Sequence, residues 1–581
     1  MIRLRHVRSS SRAVVAAATI VVAATIAATL AACRRDADPA TERPSETPSE
    51  TPSESGGAET ARIEAPRRAS DAIESIPTAA VVGFGAHGYP APDAAVAVGD
   101  RRCGACHLDE YRASRESRMA RTAARVTLES RERWFGAERL ERPTQWPSGQ
   151  ATAAPRYVRD DEGVVCEVRD ASGDWQRVRV AAVFGSGERG YTPIALEDGP
   201  GVRELRVTYF EQEARWRLTP GAEGDPDPLG YVRSPEFSND CLVCHMTVIR
   251  ERDGKLDLAE CVFGIGCERC HGPGSVHVDA ATRGDASDES AHGGVFDPGK
   301  LAAADGVRFC GQCHRRPEDI EPERAFRRTP DLARHAGASL MLSACFVRSP
   351  PESTITCLDC HDPHRPIDAA RDEFNRACAR CHAEPERSHT SDLGELASDC
   401  VMCHMPRETR AFFGLSFTSH WIRVPDAPEP SGQEVDEIAA VLEREYREAT
   451  ARPGVGRERQ AKLRMRLGKL LLGRGSTDEG LATLRGALEF APLYKDRLLA
   501  ASHHERAGEK DRAGAILAEA IRSAPENNRA YHDLARLQTA VGDVAGAQRT
   551  LDQWRVARPD DPYLKREQQA LDAARGRTDG R

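Results

Sequence analysis

The chain has 581 residues, too many for a single hydrophobic core, and 18 of them are cysteine. Apolar residues make up 40% and charged ones 29%, a balance that sets the body of the protein apart from an intrinsically disordered polymer. The formal charge of −9 leaves no surplus of cations for a phosphate backbone, so nucleic acid is not an expected partner.

The first twelve residues, MIRLRHVRSSSR, are basic, and Ala13 to Ala32 form an apolar run ending in LAAC. This pattern predicts an export signal with a lipobox over residues 1–33, cut before Cys33. Lipid on Cys33 would then tie the protein to a membrane. The other reading is an uncleaved span, because about 20 apolar residues can cross a bilayer. Either way the body is expected beyond the cytoplasmic membrane, in the periplasm or cell envelope. Residues 34–78 contain TERPSETPSETPSESGG, too polar to bury a core, and predict a disordered tether.

A five-residue word then recurs across residues 79–425. It stands as CGACH (Cys103, Cys106, His107), CLVCH (Cys241, Cys244, His245), CERCH (Cys267, Cys270, His271) and CGQCH (Cys310, Cys313, His314). It returns as CLDCH (Cys357, Cys360, His361), CARCH (Cys378, Cys381, His382) and CVMCH (Cys400, Cys403, His404). Cys-x-x-Cys-His is the attachment site of a c-type haem: the thiols bond the porphyrin vinyls and the next imidazole binds iron. Zinc also uses Cys-x-x-Cys, but it does not require a histidine after every pair. Seven boxes therefore predict seven covalent haems. Their propionates would make the holoprotein more acidic still, and Arg, which outnumbers Lys heavily here, pairs bidentately with carboxylates.

Between the first two boxes, residues 155–220 lack haem signals. WQRVRV and VRELRVTYF alternate apolar and polar residues, and DASGD and GSGERG supply turns, which predicts a small antiparallel β insertion.

Buried electron-transfer haems commonly take a second axial ligand from protein. His364 follows His361 by three residues, a reach of at most about 10 Å. That is too short to circle a macrocycle, so His364 must serve a neighbouring haem or none. His277, six residues after His271, is constrained in the same way. Outside the leader, the boxes and the C-terminal helices, the histidines are His87, His277, His292, His335, His364, His389 and His420: seven for seven irons.

The stretches CGACHLDEYRASRESRMARTA, GIGCERCHGPGSVHV, RFCGQCHRRP, SACFVRSPPESTITCLDCHDPH and CVMCHMP with FTSHWIR resemble a bacterial multihaem cytochrome c group. That group is related to the tetrahaem cytochrome of ammonia oxidisers, and many members carry C-terminal tetratricopeptide repeats. The resemblance covers roughly residues 98–425. It implies helices and loops around packed haem pairs, and it matches His277, His364, His389 and His420 to positions that supply distal ligands. One departure concerns SRMA, where relatives often have a ligating histidine and this chain has Met119. Met119 could ligate an iron and raise its potential, or pack on a helix face. Cys166, Cys261 and Cys345 lie outside the boxes; two of them could pair in an oxidising compartment, and Cys345 could have a haem-site role or be a plain buried side chain.

Residues 435–575 change character, with Ala, Leu, Arg and Glu dominant and no box. Three segments align, ending at Pro492, Pro525 and Pro559, with Gly475, Gly508 and Gly542 repeating at the same interval of about 34 residues. This is the tetratricopeptide period and predicts an α-solenoid that docks a protein. His503, His504 and His532 read as ordinary repeat residues. The expected fold is thus mainly α: a heptahaem cytochrome c domain with a small β insertion, then a helical solenoid. The expected function is a membrane-tethered electron carrier between redox proteins. The alternative is a multihaem oxidoreductase in which one open iron acts on a small nitrogen or sulfur compound.

Overall fold

The computed structural model describes residues 76–77, 84, 89, 91 and 95–578, apart from 148–152, 171, 198–200, 223–226, 234–240, 254, 285–293, 328–329, 368–370, 383–398, 411–414, 426, 453–454, 491–493 and 560. The export signal, Cys33 and residues 34–75 lie outside the described residues, as do His87, His292 and His389.

After the first box, Leu108–Glu116 forms helix α1. The chain then runs through eleven strands: β1 (Ala123–Arg125), β2 (Thr144–Gln145), β3 (Arg156–Asp160), β4 (Gly163–Arg169), β5 (Trp175–Arg179), β6 (Ala182–Phe184), β7 (Gly190–Leu196), β8 (Val202–Leu205), β9 (Val207–Phe210), β10 (Arg215–Leu218) and β11 (Gly230–Arg233). One sheet has the order β11-β8-β7-β9-β10-β2, and β6 pairs both β7 and β1; β3-β4-β5 form a second, three-stranded sheet. The buried rings of Phe135, Tyr157, Tyr191, Tyr209 and Trp216 fill the space between, with Tyr157 and Trp216 centred 4.6 Å apart. Buried aromatics on this scale supply most of the apolar area such a layer needs.

This body corrects the expectation of a helix-and-loop region with only a small β insertion over residues 79–425; the chain as described remains mainly helical. The two larger sheets draw their strands from Ala123 to Arg233, so the region before the second box is sheet-rich. The alternating runs show in sequence, whereas β1, β2 and β11 are two to four residues long. Such pieces are too short to carry a period-2 signal, and their pairing with longer strands decides them. The VRELRVTYF run is broken at Arg206, whose N–H donates to Leu229 O and whose carbonyl accepts from Thr219 N.

The next helices are short: α2 (Cys267–His271), α3 (Ser275–Arg283), α4 (Ala303–His314) and α5 (Ala336–Met341). From residue 433 the described elements are all helices: α6 (Gln433–Ala451), α7 (Arg457–Gly473), α8 (Thr477–Ala487), α9 (Tyr494–Arg506), α10 (Lys510–Ser523), α11 (Asn528–Val541), α12 (Val544–Ala557) and α13 (Pro562–Thr578). Gly475, Gly508 and Gly542 each take φ of 83–85° at the turn inside a helix pair. A left-handed turn at each of these positions is the physical reason for the repeating glycine. No helix among the described residues is long and apolar enough to cross a membrane.

Helix α6 buries Ile438, Val441, Leu442, Glu445, Tyr446 and Ala449, an i, i+3, i+4, i+7 stripe. The stripe shares one core with Val307, Ile320, Leu340 and Met341 around the fourth box and with Leu463 and Leu467 of α7. The Tyr446 hydroxyl donates to Ile320 O at 2.6 Å. Glu445, fully buried, takes two bonds from Arg308 at 2.8 and 2.6 Å. The change in composition near residue 430 is therefore not a break in packing.

Candidate haem-binding site

Each box folds as one helical turn. The N–H of His107 donates to Cys103 O at 2.9 Å, that of His361 to Cys357 O at 2.9 Å, and that of His382 to Cys378 O at 3.0 Å. Cys267–His271 and Cys400–His404 are helices in themselves, Cys310–His314 closes α4, and residues 241–245 are helical. Positions i, i+3 and i+4 of a helix share one face. The five-residue spacing thus presents two thiols and an imidazole on one side of a single turn. Cys106, Cys381 and Cys403 are exposed, and the other box cysteines are partly covered.

Main-chain carbonyls orient several rings. The Nδ1–H groups of His245, His271, His404 and His420 donate to Thr122 O (2.8 Å), Phe296 O (3.0 Å), Arg423 O (2.8 Å) and Thr418 O (3.0 Å). A proton fixed on Nδ1 leaves the Nε2 lone pair free for a metal. Burial pulls His245, His271, His314 and His361 below the usual imidazole range and takes His420 down to about 4, so these rings stay neutral.

Histidines outside the boxes face histidines inside them. The ring centres of His277 and His107 are 6.4 Å apart, those of His364 and His271 6.1 Å, and those of His420 and His361 6.2 Å. The planes of the His364–His271 pair differ by 5°. Neither His277 nor His364 faces the histidine of the box it follows. A metal held about 2 Å from one nitrogen of each ring needs imidazole centres about 6 Å apart. The residues present therefore fit an iron held between two imidazoles in three places.

The boxes also touch one another. Thiols of different boxes lie beside one another: Cys103 with Cys267, Cys244 with Cys313, Cys310 with Cys357 and Cys378 with Cys400. Arg380 of the sixth box pairs with Asp359 of the fifth at 2.8 Å, and Arg269 of the third reaches Gln312 of the fourth at 3.3 Å. Contacts thus run from the first box to the third, fourth, fifth, sixth and seventh, with the second against the fourth.

Met119 enters through its backbone: its carbonyl accepts from Ile265 N at 3.0 Å, tying the segment after the first box to the lead-in of the third. Cys166, Cys261 and Cys345 are free thiols. Cys166 lies in β4, fully buried opposite Tyr157, and burial pushes its thiol up to about 12.

Two further groups were not expected from sequence. Phe184 of β6 stacks on His245, 4.4 Å between centres and 7° between planes. Glu268, inside the third box and 3% exposed, accepts from Val98 N (2.8 Å), Gly99 N (2.8 Å) and Gly274 N (2.9 Å). It clamps the loop before the first box onto the third. A carboxylate at a variable box position carries no motif signal, and Phe184 needed the sheet to be known.

Two family models match stretches of the chain. The model of cytochrome c554 and c-prime matches residues 227–272, which span the second and third boxes, and the tetratricopeptide repeat model matches residues 506–571. Over these stretches the chain is similar to a c-type cytochrome and to a protein-interaction repeat. No curated protein matches it. Among solved structures it is similar to a tetratricopeptide repeat protein from Parabacteroides merdae, at 18% identity and TM-score 0.22, over 25% of this chain and 56% of that one. It is also similar to YrrB, a tetratricopeptide repeat protein with an unusual peptide-binding site, at 17% identity and TM-score 0.19, over 23% and 68%. MamA matches at 17% identity and TM-score 0.20, over 24% and 80%.

Proposed function

We propose that the chain is an exported, membrane-tethered c-type cytochrome with seven covalent haems that carries electrons between redox proteins, its helical repeats forming a solenoid that docks a partner. The three imidazole pairs with centres 6.1–6.4 Å apart carry this reading. Bound haem iron supplies one-electron exchange, and two protein nitrogens on one iron leave it no open position for a substrate. In this reading the box cysteines make the thioether bonds and His107, His245, His271, His314, His361, His382 and His404 are the proximal ligands. His277, His364 and His420 are distal ligands to the first, third and fifth irons, with His389 a further candidate.

The contacts between boxes support a relay, since they form one continuous series from the first box to the seventh. Carbonyls on Nδ1 hold the rings still, which favours electron exchange over ligand exchange. Docking by the repeats rests on the tetratricopeptide match and on the stacked helix pairs. The tether rests on the lipobox pattern before Cys33 alone.

The test is an EPR spectrum of the fully oxidised, full-length protein, with haem content measured by mass. Seven haems and only low-spin ferric signals are expected. A high-spin signal near one spin per molecule would overturn the carrier reading in favour of an oxidoreductase with an open iron.

A further inference from the structure

Arg269 is the third residue of the CERCH box and is 3% exposed. Its Nε and Nη2 both donate to Val243 O at 3.3 Å, and Nη2 also reaches Gln312 Oε1 at 3.3 Å and Cys313 Sγ at 3.9 Å. Val243 belongs to the second box, and Gln312 and Cys313 to the fourth. One buried guanidinium therefore lies where three boxes meet, against the sulfur to which the fourth haem would be bonded. Among the described residues none of the acceptors it reaches is a carboxylate. Two other largely covered arginines do meet carboxylates: Arg308 lies on Glu445, and Arg203 on Glu197 and Asp227 at 2.5 Å each.

A guanidinium cannot shed its proton in a protein, so this charge is permanent. Burial without a carboxylate is costly unless the surroundings gain from the charge. A one-electron reduction takes the iron from Fe(III) to Fe(II), lowering the charge of the haem by one. A fixed cation in a low-dielectric setting makes that change more favourable.

We propose that Arg269 is a redox-tuning residue: its buried charge raises the reduction potentials of the haems carried by the second, third and fourth boxes and makes that junction the preferred resting place of an electron. This rests on the haem reading above. Arg269 touches no iron ligand in this role; it acts through the field it sets up.

The experiment is redox potentiometry, followed by visible absorption, on the full-length protein and its R269Q and R269K variants, with haem content by mass for each. R269Q keeps an amide donor but removes the charge, and R269K keeps the charge. The expected result is seven haems in all three proteins, a downward shift of about three sevenths of the titration in R269Q, and an R269K curve close to that of the parent. An R269Q curve that overlays the parent at full haem content would overturn the inference alone. So would an equal shift in R269K, or loss of haem from both variants, because either outcome assigns Arg269 to packing. A parent protein without covalent haem would overturn the haem reading and the inference with it.

Discussion

Arg308→Met tests whether the helical C-terminal region is fastened to the segment of the fourth box by a buried ion pair. Glu445 is fully buried on α6 and receives Arg308 Nε and Nη2 at 2.8 and 2.6 Å, with Arg444 Nε as a third donor at 3.3 Å. Removing one partner of a buried pair costs about 3–5 kcal/mol, because the remaining charge keeps its desolvation penalty and loses its compensation. Arg444 stays within reach and is half exposed, so the lower end, about 3 kcal/mol, applies here. Divided by a denaturant slope of about 3 kcal/mol per molar urea, that moves the unfolding midpoint down by about 1 M. The assay is urea unfolding followed by circular dichroism at the helical band. The double variant Arg308→Met with Glu445→Leu removes both charges and fills the space with apolar atoms; it should recover most of the loss, since such replacements are often neutral or stabilising. A single variant that loses less than about 1 kcal/mol would refute the reasoning, and so would a double variant no more stable than the single one.

His364→Ala is expected to leave seven haems attached and to turn one low-spin signal into a high-spin one in EPR, with His277→Ala acting likewise on a different haem; identical spectra for both variants would contradict the pairing with His271 and His107. Glu268→Gln should cost about 2 kcal/mol, because three N–H groups lose a charged acceptor, and should expose the segment at Val98 and Gly99 to limited proteolysis. Gly508 holds φ +85° with no heavy atom within 4 Å of a built Cβ. Gly508→Ala should therefore destabilise the repeats by about 1–2 kcal/mol through backbone strain alone, read as a lower thermal midpoint of the helical signal.

The boxes were legible because their chemistry is local: five consecutive residues on one helical turn hold both thiols and the ring. Chain length alone showed that His277 and His364 could not turn back on the haem of the box before them, but not which ring they would meet, because that depends on how distant turns come together. Thr122, Phe296 and Arg423 act through carbonyl oxygens that every residue possesses, so nothing in their identity marks them. The sheet was underread for a related reason, since β1, β2 and β11 owe their state to the strands beside them. The repeats showed their glycines and prolines at a fixed interval, yet the joint to the fourth box was hidden: Arg308 and Glu445 become partners only when α6 lies down on that box.

The three imidazole pairs share a direction along the chain: in each, the histidine within the box comes first and its counterpart comes later. A polypeptide is made from its N-terminus, so at every stage of synthesis the earlier box waits for sequence that does not yet exist. In the proposed reading each earlier box would stay open to cofactor attachment until the later ring closes over it, as a late latch.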